Sequence, residues 1–369
     1  MDKKFMERAL ELAKKGEGHT NPNPMVGAVI VKDGRIIGEG YHERCGEGHA
    51  EVNAFKNCKE DTSGAEMYVT LEPCSHYGKT PPCADLIISK KIKKVYVGAL
   101  DPNPLVAGRG VKKLRDAGIE VETEIMGDES RRLNEIFMKY IVKKEPFVLL
   151  KAAMTLDGKI ATASGESKWI SSKESRQDAH RLRNKYMAIM VGIGTVLFDD
   201  PLLTCRIEGG KNPVRIVVDS HLRIPLEAKI LKDQDKAETI VAIAKAESLE
   251  KLRAIDNMGI SVIKVPKKDN PEKVDIKELI RVLGSQGIDS VLVEGGSGIL
   301  GSVVKEKLAD KVKIYVAPKL LGGEKAKTPV GGSGILKLEE ALCLEELEVE
   351  RFGKDVALSG RVVKDCLQE

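Results

Sequence analysis

"EMYVTLEPCSHYGKTPPCADLIISKKIKKVYVGAL", residues 66–100, decides the fold of the first part of the chain. It begins with a β-rich run at 66–72 and passes through a polar loop with two adjacent prolines. An apolar helical segment at 83–91 and a second β-rich run at 93–100 complete it. Cations suit a helix C-terminus, so "KKIKK" at 90–94 reads as a helix end and a strand start rather than a binding patch. Repeated β–α units with short connections imply a sheet with helices on both faces.

The same alternation extends outward from this stretch. An opening helix over about 2–15 stops at Gly16. "MVGAVIVKDGRIIGEGY", 25–41, reads as a hairpin, because its two β-rich runs flank Asp33-Gly34, a pair that tolerates positive φ. "HAEVNAFKNC", 49–58, is helical, "GRGVKKLRDAG" is a helix ending at Gly118, and "IEVETEI", 119–125, is a strand. "DESRRLNEIFMKYIVKK", 128–144, predicts one long helix capped by Asp128. That helix stops at "KEPF", 144–147, which sets a domain boundary: 1–145 and 146–369.

The second part restarts with "FVLLKAAMTLDGKIA". Further strands are expected in "MAIMVG", "VRIVVDS", "TIVAIA", "SVIKV", "SVLVEGG" and "KVKIYVA", with an antiparallel hairpin over 347–363. This half is again α/β, with no internal repeat and no low-complexity segment.

Composition narrows the function classes. The chain has 369 residues, enough for two domains at roughly 150 each. With 42% hydrophobic and 31% charged residues, packed cores are expected rather than disorder. A formal charge of +4 spread over this length argues against a nucleic-acid partner. The N-terminus is amphipathic and acid-bearing, unlike a signal peptide, and no run is apolar enough to span a bilayer. A cytoplasmic location is expected. Seven cysteines, an odd number, fit metal binding or burial better than a disulfide framework.

His49, Cys74 and Cys83 suit zinc: catalytic sites use three protein ligands, drawn mostly from His and Cys. Each lies at a predicted helix start or in the loop leading into one, where backbone N–H groups favour thiolate over thiol. Residues two apart on a helix do not share a face, so in His-Ala-Glu one residue is the ligand and Glu51 is free to carry protons. Two plainer readings stand beside this one. A structural zinc would take a fourth ligand, Cys45 or His76; alternatively, the thiols are buried without metal and His49 caps a helix. His-x-Glu with Pro-Cys follows the signature of zinc nucleobase deaminases, except that eight residues separate the two cysteines.

"HTNPNPMVGAVIVKDGRIIGEGYHERCGEGHAEVNA", "TLEPCSHYGKTPPCADLI" and "DPNPLVAGRGVKKLRDAGI" resemble the bacterial bifunctional riboflavin-biosynthesis deaminase–reductases over almost the whole chain. The resemblance implies a cytidine-deaminase-like three-layer domain followed by a dihydrofolate-reductase-like domain. It implies one zinc per chain, NADPH, a diaminopyrimidine ribotide substrate and a homo-oligomer formed through the second domain. By position, Asn23, His42, His76, Lys79, Asp101 and Asn103 would line the deaminase pocket. Lys79 and the imidazoles suit phosphate or ribose oxygens, and Asn23 suits ring edges.

In the second half, "SVLVEGGSGILGSVVKEKL" places a glycine cluster between a strand and a helix. Gly296, Gly298 and Gly301 spell G-x-G-x-x-G, but no acidic residue follows where a Rossmann fold would need one. Phosphate binding without Rossmann topology is the reading, with close backbone packing as the plainer one. The resemblance adds cofactor contacts at Ala153, Trp169, Thr195, Asp199, Ser220 and the loop Gly296, Ser297, Gly298, Ile299, Leu300, Gly301 and Ser302. It adds substrate contacts at Ser167, Arg183, Leu203, Arg206 and Glu294. Arg183 and Arg206 suit a sugar phosphate. Lys151 suits ribose oxygens or a ring-opened imine. The rival functions are a nucleic-acid-editing deaminase with an appended binding module, and a zinc-stabilised scaffold without activity.

Overall fold

The computed structural model describes residues 2–77, 81–103 and 106–363. The chain divides into two compact units, Met1–Lys144 and Glu145–Glu369.

The first unit runs α1 (Lys3–Lys14), β1 (Gly27–Lys32), β2 (Arg35–Tyr41), α2 (Ala50–Asn57), β3 (Glu66–Leu71), α3 (Cys83–Ser89), β4 (Lys94–Ala99), α4 (Arg109–Asp116), β5 (Glu120–Glu122), α5 (Gly127–Leu133) and α6 (Glu135–Lys143). Its sheet has the order β2-β1-β3-β4-β5. β1 is antiparallel to β2 and β3, whereas β3, β4 and β5 are parallel. The hairpin turns at Asp33 and Gly34, both at positive φ, as the sequence requires.

Alternation along the strands produces the layers. Val29, Val31, Tyr68 and Tyr96 face α1, whose Phe5, Met6, Ala9, Leu10 and Leu12 recur at helical spacing. On the opposite face Ala28, Ile30, Met67, Val69, Val95 and Val97 pack on Ala50, Ala54 and Phe55 of α2, Ala84 and Ile87 of α3, and Val111 and Leu114 of α4. Truncating a buried side chain such as Leu114 to Ala would cost about 2–5 kcal/mol.

The expected single helix over 128–144 is two helices. Asn134 interrupts it at φ −107, ψ 24. Its amide accepts from Met25 N at 2.8 Å and donates to Met25 O at 2.9 Å. That tertiary pairing outweighs helix continuity. Asp128 is not the cap: it lies in the first turn of α5 and pairs with Arg131 at 2.8 Å.

The second unit runs β6 (Phe147–Thr155), α7 (Lys173–Lys185), β7 (Ala188–Gly192), α8 (Ile193–Asp199), β8 (Val214–Val218), β9 (Thr239–Ile243), α9 (Leu249–Asn257), β10 (Ser261–Lys264), β11 (Pro266–Lys267), β12 (Asn270–Val274), α10 (Ile276–Ser285), β13 (Ser290–Val293), α11 (Ser297–Lys305), β14 (Lys311–Ala317), β15 (Leu344–Phe352) and β16 (Asp355–Val362). A nine-stranded sheet has the order β10-β9-β8-β7-β13-β6-β14-β16-β15. Only the pairs that include β16 are antiparallel. Val148, Leu150, Met190, Ile216, Val291 and Val293 pack on Leu279, Ile280 and Leu283 of α10 and Leu300 and Val303 of α11. The β11–β12 hairpin was not expected. Its sequence, "PKKDNPEKV", is polar and holds two prolines, so it carries no strand signal.

Candidate functional site

The first unit gathers the metal-type residues at the ends of β3 and the starts of two helices. His49 is the N-cap residue of α2, and Cys83 is the first residue of α3. Cys74 follows β3 after Glu72 and Pro73. His49 Nδ1 lies 3.6 Å from Cys74 Sγ and 3.3 Å from Cys83 Sγ. The three ligand atoms fall within 4.8 Å of one another. Among the described residues neither Cys45 nor His76 joins this group. Three ligands of imidazole and thiolate type fit zinc and match the ligand count of a catalytic site.

The three groups also interact electrostatically. The Cys74 sulfur raises His49 to about 9. Cys74 is lowered to about 4 by the Cys83 thiol, by His49 and by the Cys83 backbone N–H, which donates to it at 3.3 Å. Cys83 is pushed up by Cys74 and by burial. Two sulfurs sharing a proton behave this way, and a divalent cation between them favours both thiolates.

Glu51 sits in the first turn of α2, 3% exposed, beside the Cys83 thiol. Burial raises its carboxyl above the ordinary range. His42 is also buried, which lowers it. Its Nδ1 reaches Gly48 O at 3.1 Å, so Nδ1 carries the proton and Nε2 accepts from Asn23 Nδ2 at 3.3 Å. The His42 and His49 rings meet edge to face, with centroids 5.6 Å apart. Asp101 is 9% exposed and accepts from Asn103 N at 2.8 Å. Burial, with help from the Glu72 carboxylate, pushes Asp101 up to about 6. His76 is exposed and close enough to act electrostatically on Asp101. Lys79 lies outside the described residues.

In the second unit Thr195, Ser220 and Glu294 lie just past the carboxyl ends of the parallel strands β7, β8 and β13, the usual place for a ligand in an open α/β sheet. Lys151 and Ala153 are on β6, Thr195 is in α8 directly after β7, Ser220 follows β8, and Glu294 follows β13. Lys151 Nζ lies 3.8 Å from Glu294 Oε1 and 5.5 Å from the centre of the Tyr315 ring. Arg183 donates to Glu294 Oε2 at 2.8 Å and to Thr204 O at 3.2 Å. Burial works against the Glu294 carboxylate, yet Arg183 and Lys151 hold it down to about 2. Burial in turn lowers Lys151, against the opposing pull of Glu294.

The glycine cluster divides in two. Gly296 is the N-cap of α11, and its N–H donates to Thr195 Oγ1 at 3.1 Å. Ser297 and Gly298 form the first turn. Ile299 and Leu300 are buried in the core, so they can offer a ligand only backbone. Gly301 packs on Gly331, whose carbonyl a Cβ would strike. Ser302 Oγ donates to Gly298 O at 2.9 Å. Asp199 closes α8, one turn beyond Thr195, with Lys168 Nζ at 3.8 Å. Leu203 is buried, Ser167 half-buried and Arg206 exposed. Ser220 Oγ accepts from Val274 N at 3.3 Å. Trp169 is 63% exposed, with the Arg176 guanidinium 4.5 Å from the ring centre. It lines a cleft of about 480 Å³ with Ser171, Lys173 and Lys319.

Two residues of this neighbourhood escaped the sequence reading. His180 lies one turn before Arg183 on α7, and burial together with Arg183 and Arg206 lowers it to about 4. Its spacing in "HRLR" was the available signal. Tyr315, whose hydroxyl donates to Asp178 at 2.5 Å, gave none.

Comparison with known proteins agrees with both halves. Residues 1–99 match the cytidine and deoxycytidylate deaminase zinc-binding region, and residues 146–358 match the RibD C-terminal domain. The chain is 49% identical to riboflavin biosynthesis protein RibD of Actinobacillus pleuropneumoniae, covering 98% of this chain and 96% of that one. The Aquifex aeolicus protein of the same name is 45% identical over 97% of this chain and 98% of its own. Among solved structures, the diaminohydroxyphosphoribosylaminopyrimidine deaminase/5-amino-6-(5-phosphoribosylamino)uracil reductase of Thermotoga maritima superposes with a TM-score of 0.86 at 40% identity, covering 98% of each chain. Acinetobacter baumannii RibD gives 0.87 at 39% identity, covering 98% and 99%. With a zinc-type triad in one unit and relatives matched over 97–98% of this chain, the chain belongs to the RibD family of riboflavin biosynthesis proteins.

Proposed function

We propose that this chain is a bifunctional enzyme of riboflavin biosynthesis, with a zinc-dependent pyrimidine deaminase in residues 1–145 and an NADPH-dependent reductase in residues 146–369. The substrate is a diaminopyrimidinone bearing a phosphoribosylamino group. The observation that carries the reading is the convergence of His49, Cys74 and Cys83 beside the buried Glu51.

Zinc in that position supplies Lewis acidity, which makes an attacking water acidic near pH 7. Glu51 takes one proton from the water and delivers it to the exocyclic nitrogen. The carbon exchanges its C–N bond for a C–O bond, and ammonia leaves. Asn23 and His42, joined at 3.3 Å, orient the pyrimidine edge. Asp101 and Asn103 close the other side, and His76 and Lys79 take the ribose phosphate.

NADPH supplies the hydride for the second reaction, which converts the ribosyl group to ribityl. Its pyrophosphate would be held at the α11 N-terminus, Gly296, Ser297 and Gly298, where the Ser297 and Gly298 N–H groups have no partner within the helix while that of Gly296 is taken by Thr195. Thr195, Asp199, Ala153, Ser220 and Trp169 complete the cofactor contacts. Lys151 donates to the ribose oxygens or the ring-opened imine, and Glu294, itself gripped by Arg183, holds it in place. Arg183, Arg206, Ser167 and Leu203 surround the sugar phosphate.

Among the described residues no helix is long and apolar enough to cross a membrane. We place the protein in the cytoplasm, as its cysteine usage suggests. We further propose a homo-oligomer formed through the reductase unit. Leu347 and Val349 of the edge strand β15 are 64% and 68% exposed on one face. Sedimentation at increasing concentration tests this; a monomer throughout refutes it.

The test of the whole reading is direct. The diaminopyrimidine ribotide is offered with and without NADPH, and ammonia and the ribityl product are followed. Ammonia should form in both arms and the ribityl product only with NADPH. No ammonia in either arm sinks the deaminase assignment.

A further inference from the structure

Glu72 stands two residues before Cys74, is 4% exposed, and belongs to neither the metal set nor the substrate set. Its backbone N–H bonds to Ala99 O at 3.0 Å, which pins it to the end of β4. Its carboxylate accepts four backbone N–H groups, all from one segment. Oε2 takes Asp101 N at 3.3 Å and Gly108 N at 2.9 Å. Oε1 takes Gly110 N at 2.9 Å and Val111 N at 3.1 Å.

Gly108 is the N-cap of α4 at φ +80, and Gly110 and Val111 lie in the first turn of that helix. These N–H groups have no partner within a helix, and no side chain at the Gly108 cap supplies one. Glu72 therefore caps α4 from 36–39 residues away. A carboxylate is well suited to a helix N-terminus. The fit is close: a Cβ at Gly110 would strike Pro73 O and come within 3.2 Å of Glu72 Oε1. The first turn of α4 thus lies flat against the peptide that leads to Cys74.

We infer that Glu72 is a positioning residue of the deaminase, a single carboxylate that sets Asp101 and the first turn of α4 in register with the zinc ligand Cys74. Asp101 is bonded to Glu72 through its backbone, and the Asn103 N–H in turn donates to the Asp101 carboxylate. Glu72 touches neither substrate nor metal. It converts the position of one into the position of the other. The inference rests on the assignment of Asp101 and Asn103 to the substrate.

Glu72→Gln keeps the shape but turns an NH₂ toward two of the four donors. In the full-length zinc-loaded enzyme we expect one zinc per chain and an unchanged reductase rate on pre-deaminated substrate. The deaminase KM should rise by about tenfold, the loss of substrate contact worth ~1.4 kcal/mol, with a smaller change in kcat. A purely structural role would instead lower kcat in proportion to the folded fraction and leave KM alone; that result overturns the inference. Asp101→Ala and Asn103→Ala are measured alongside. If neither raises KM, the substrate assignment itself falls. If they do and Glu72→Gln does not, only the present inference falls. Added to Asp101→Ala plus Asn103→Ala, Glu72→Gln should raise KM no further; an additive effect also overturns it. If Glu72→Gln yields no folded protein, Glu72→Asp decides: it keeps the charge but shortens the reach, and an unchanged KM there refutes the role.

Discussion

Glu51 is buried and Lys151 half-buried, both are ionisable, and in each case a neighbour determines what burial leaves possible. In the proposed mechanism Glu51 carries the proton, so Glu51→Gln removes the carrier without removing a ligand. Ammonia release should fall by ~10²–10⁴ while zinc stays bound; metal analysis beside a turnover assay checks both halves, and retained turnover removes Glu51 from its role. Lys151 poses a different problem. Burial disfavours its ammonium, Glu294 and Asp178 favour it, and Arg183 opposes it. Glu294→Gln takes away the nearest anion, so the Lys151 proton is lost at lower pH. If Lys151 works as a donor, the alkaline limb of the reductase pH profile must move to lower pH in that variant. An unmoved limb means that Lys151 does not titrate in the rate. Asp101, pushed up to about 6, carries a further pH signature. Below about 6 it gains a proton, and a substrate contact that needs the carboxylate weakens, so the deaminase KM should climb toward acid pH and Asp101→Asn should flatten that climb. The residue scale is also where the sequence was most legible. His49, Cys74 and Cys83 could be read because a metal dictates which side chains must meet. Glu72 could not, because its partners are backbone N–H groups 29–39 residues away that have no residue identity.

At the scale of elements, period and turn chemistry carried far: the hairpin at Asp33-Gly34, the β3–α3–β4 unit and the closing β15–β16 hairpin stand where they were expected. What failed was governed by long-range contacts. Asn134 breaks the 128–144 helix because its amide completes a pair with Met25, and nothing in the local sequence announces that bond. α11 shows both outcomes in one element. Its glycines looked equivalent in G-x-G-x-x-G, yet a Cβ on Gly298 meets nothing within 4 Å while one on Gly301 strikes Gly331 O. The two positions therefore separate binding from packing. Gly298→Leu should leave stability within about 0.5 kcal/mol and weaken NADPH by about tenfold, as calorimetry would show, a loss of ~1.4 kcal/mol. Gly301→Ala should destabilise the reductase unit by about 1–3 kcal/mol through overpacking, seen as a lowered thermal midpoint. If Gly298→Leu binds NADPH as tightly as the parent, the helix start is not the phosphate cradle.

For the whole molecule, each unit carries apolar clusters of its own. Among the described residues, the clusters around Met6, Ala28 and Leu71 are built from residues before Lys144, and the cluster around Val148 and Leu300 from residues after Glu145. Nothing in the reductase set, Lys151, Arg183, Glu294 and Gly296, requires the metal. Within the first unit Ala54, Phe55, Ile87 and Leu114 belong to one apolar cluster of which His49, Cys74 and Cys83 are not members. Metal removal should therefore cost the deaminase its reaction and leave both folds standing. A chelated preparation given the ribotide should release no ammonia, yet given pre-deaminated substrate it should oxidise NADPH at the parent rate. Circular dichroism fixes whether the chain is still folded. Loss of both activities in a folded, metal-free protein would mean that one site depends on the other. Two self-sufficient cores could not then account for how the chain works.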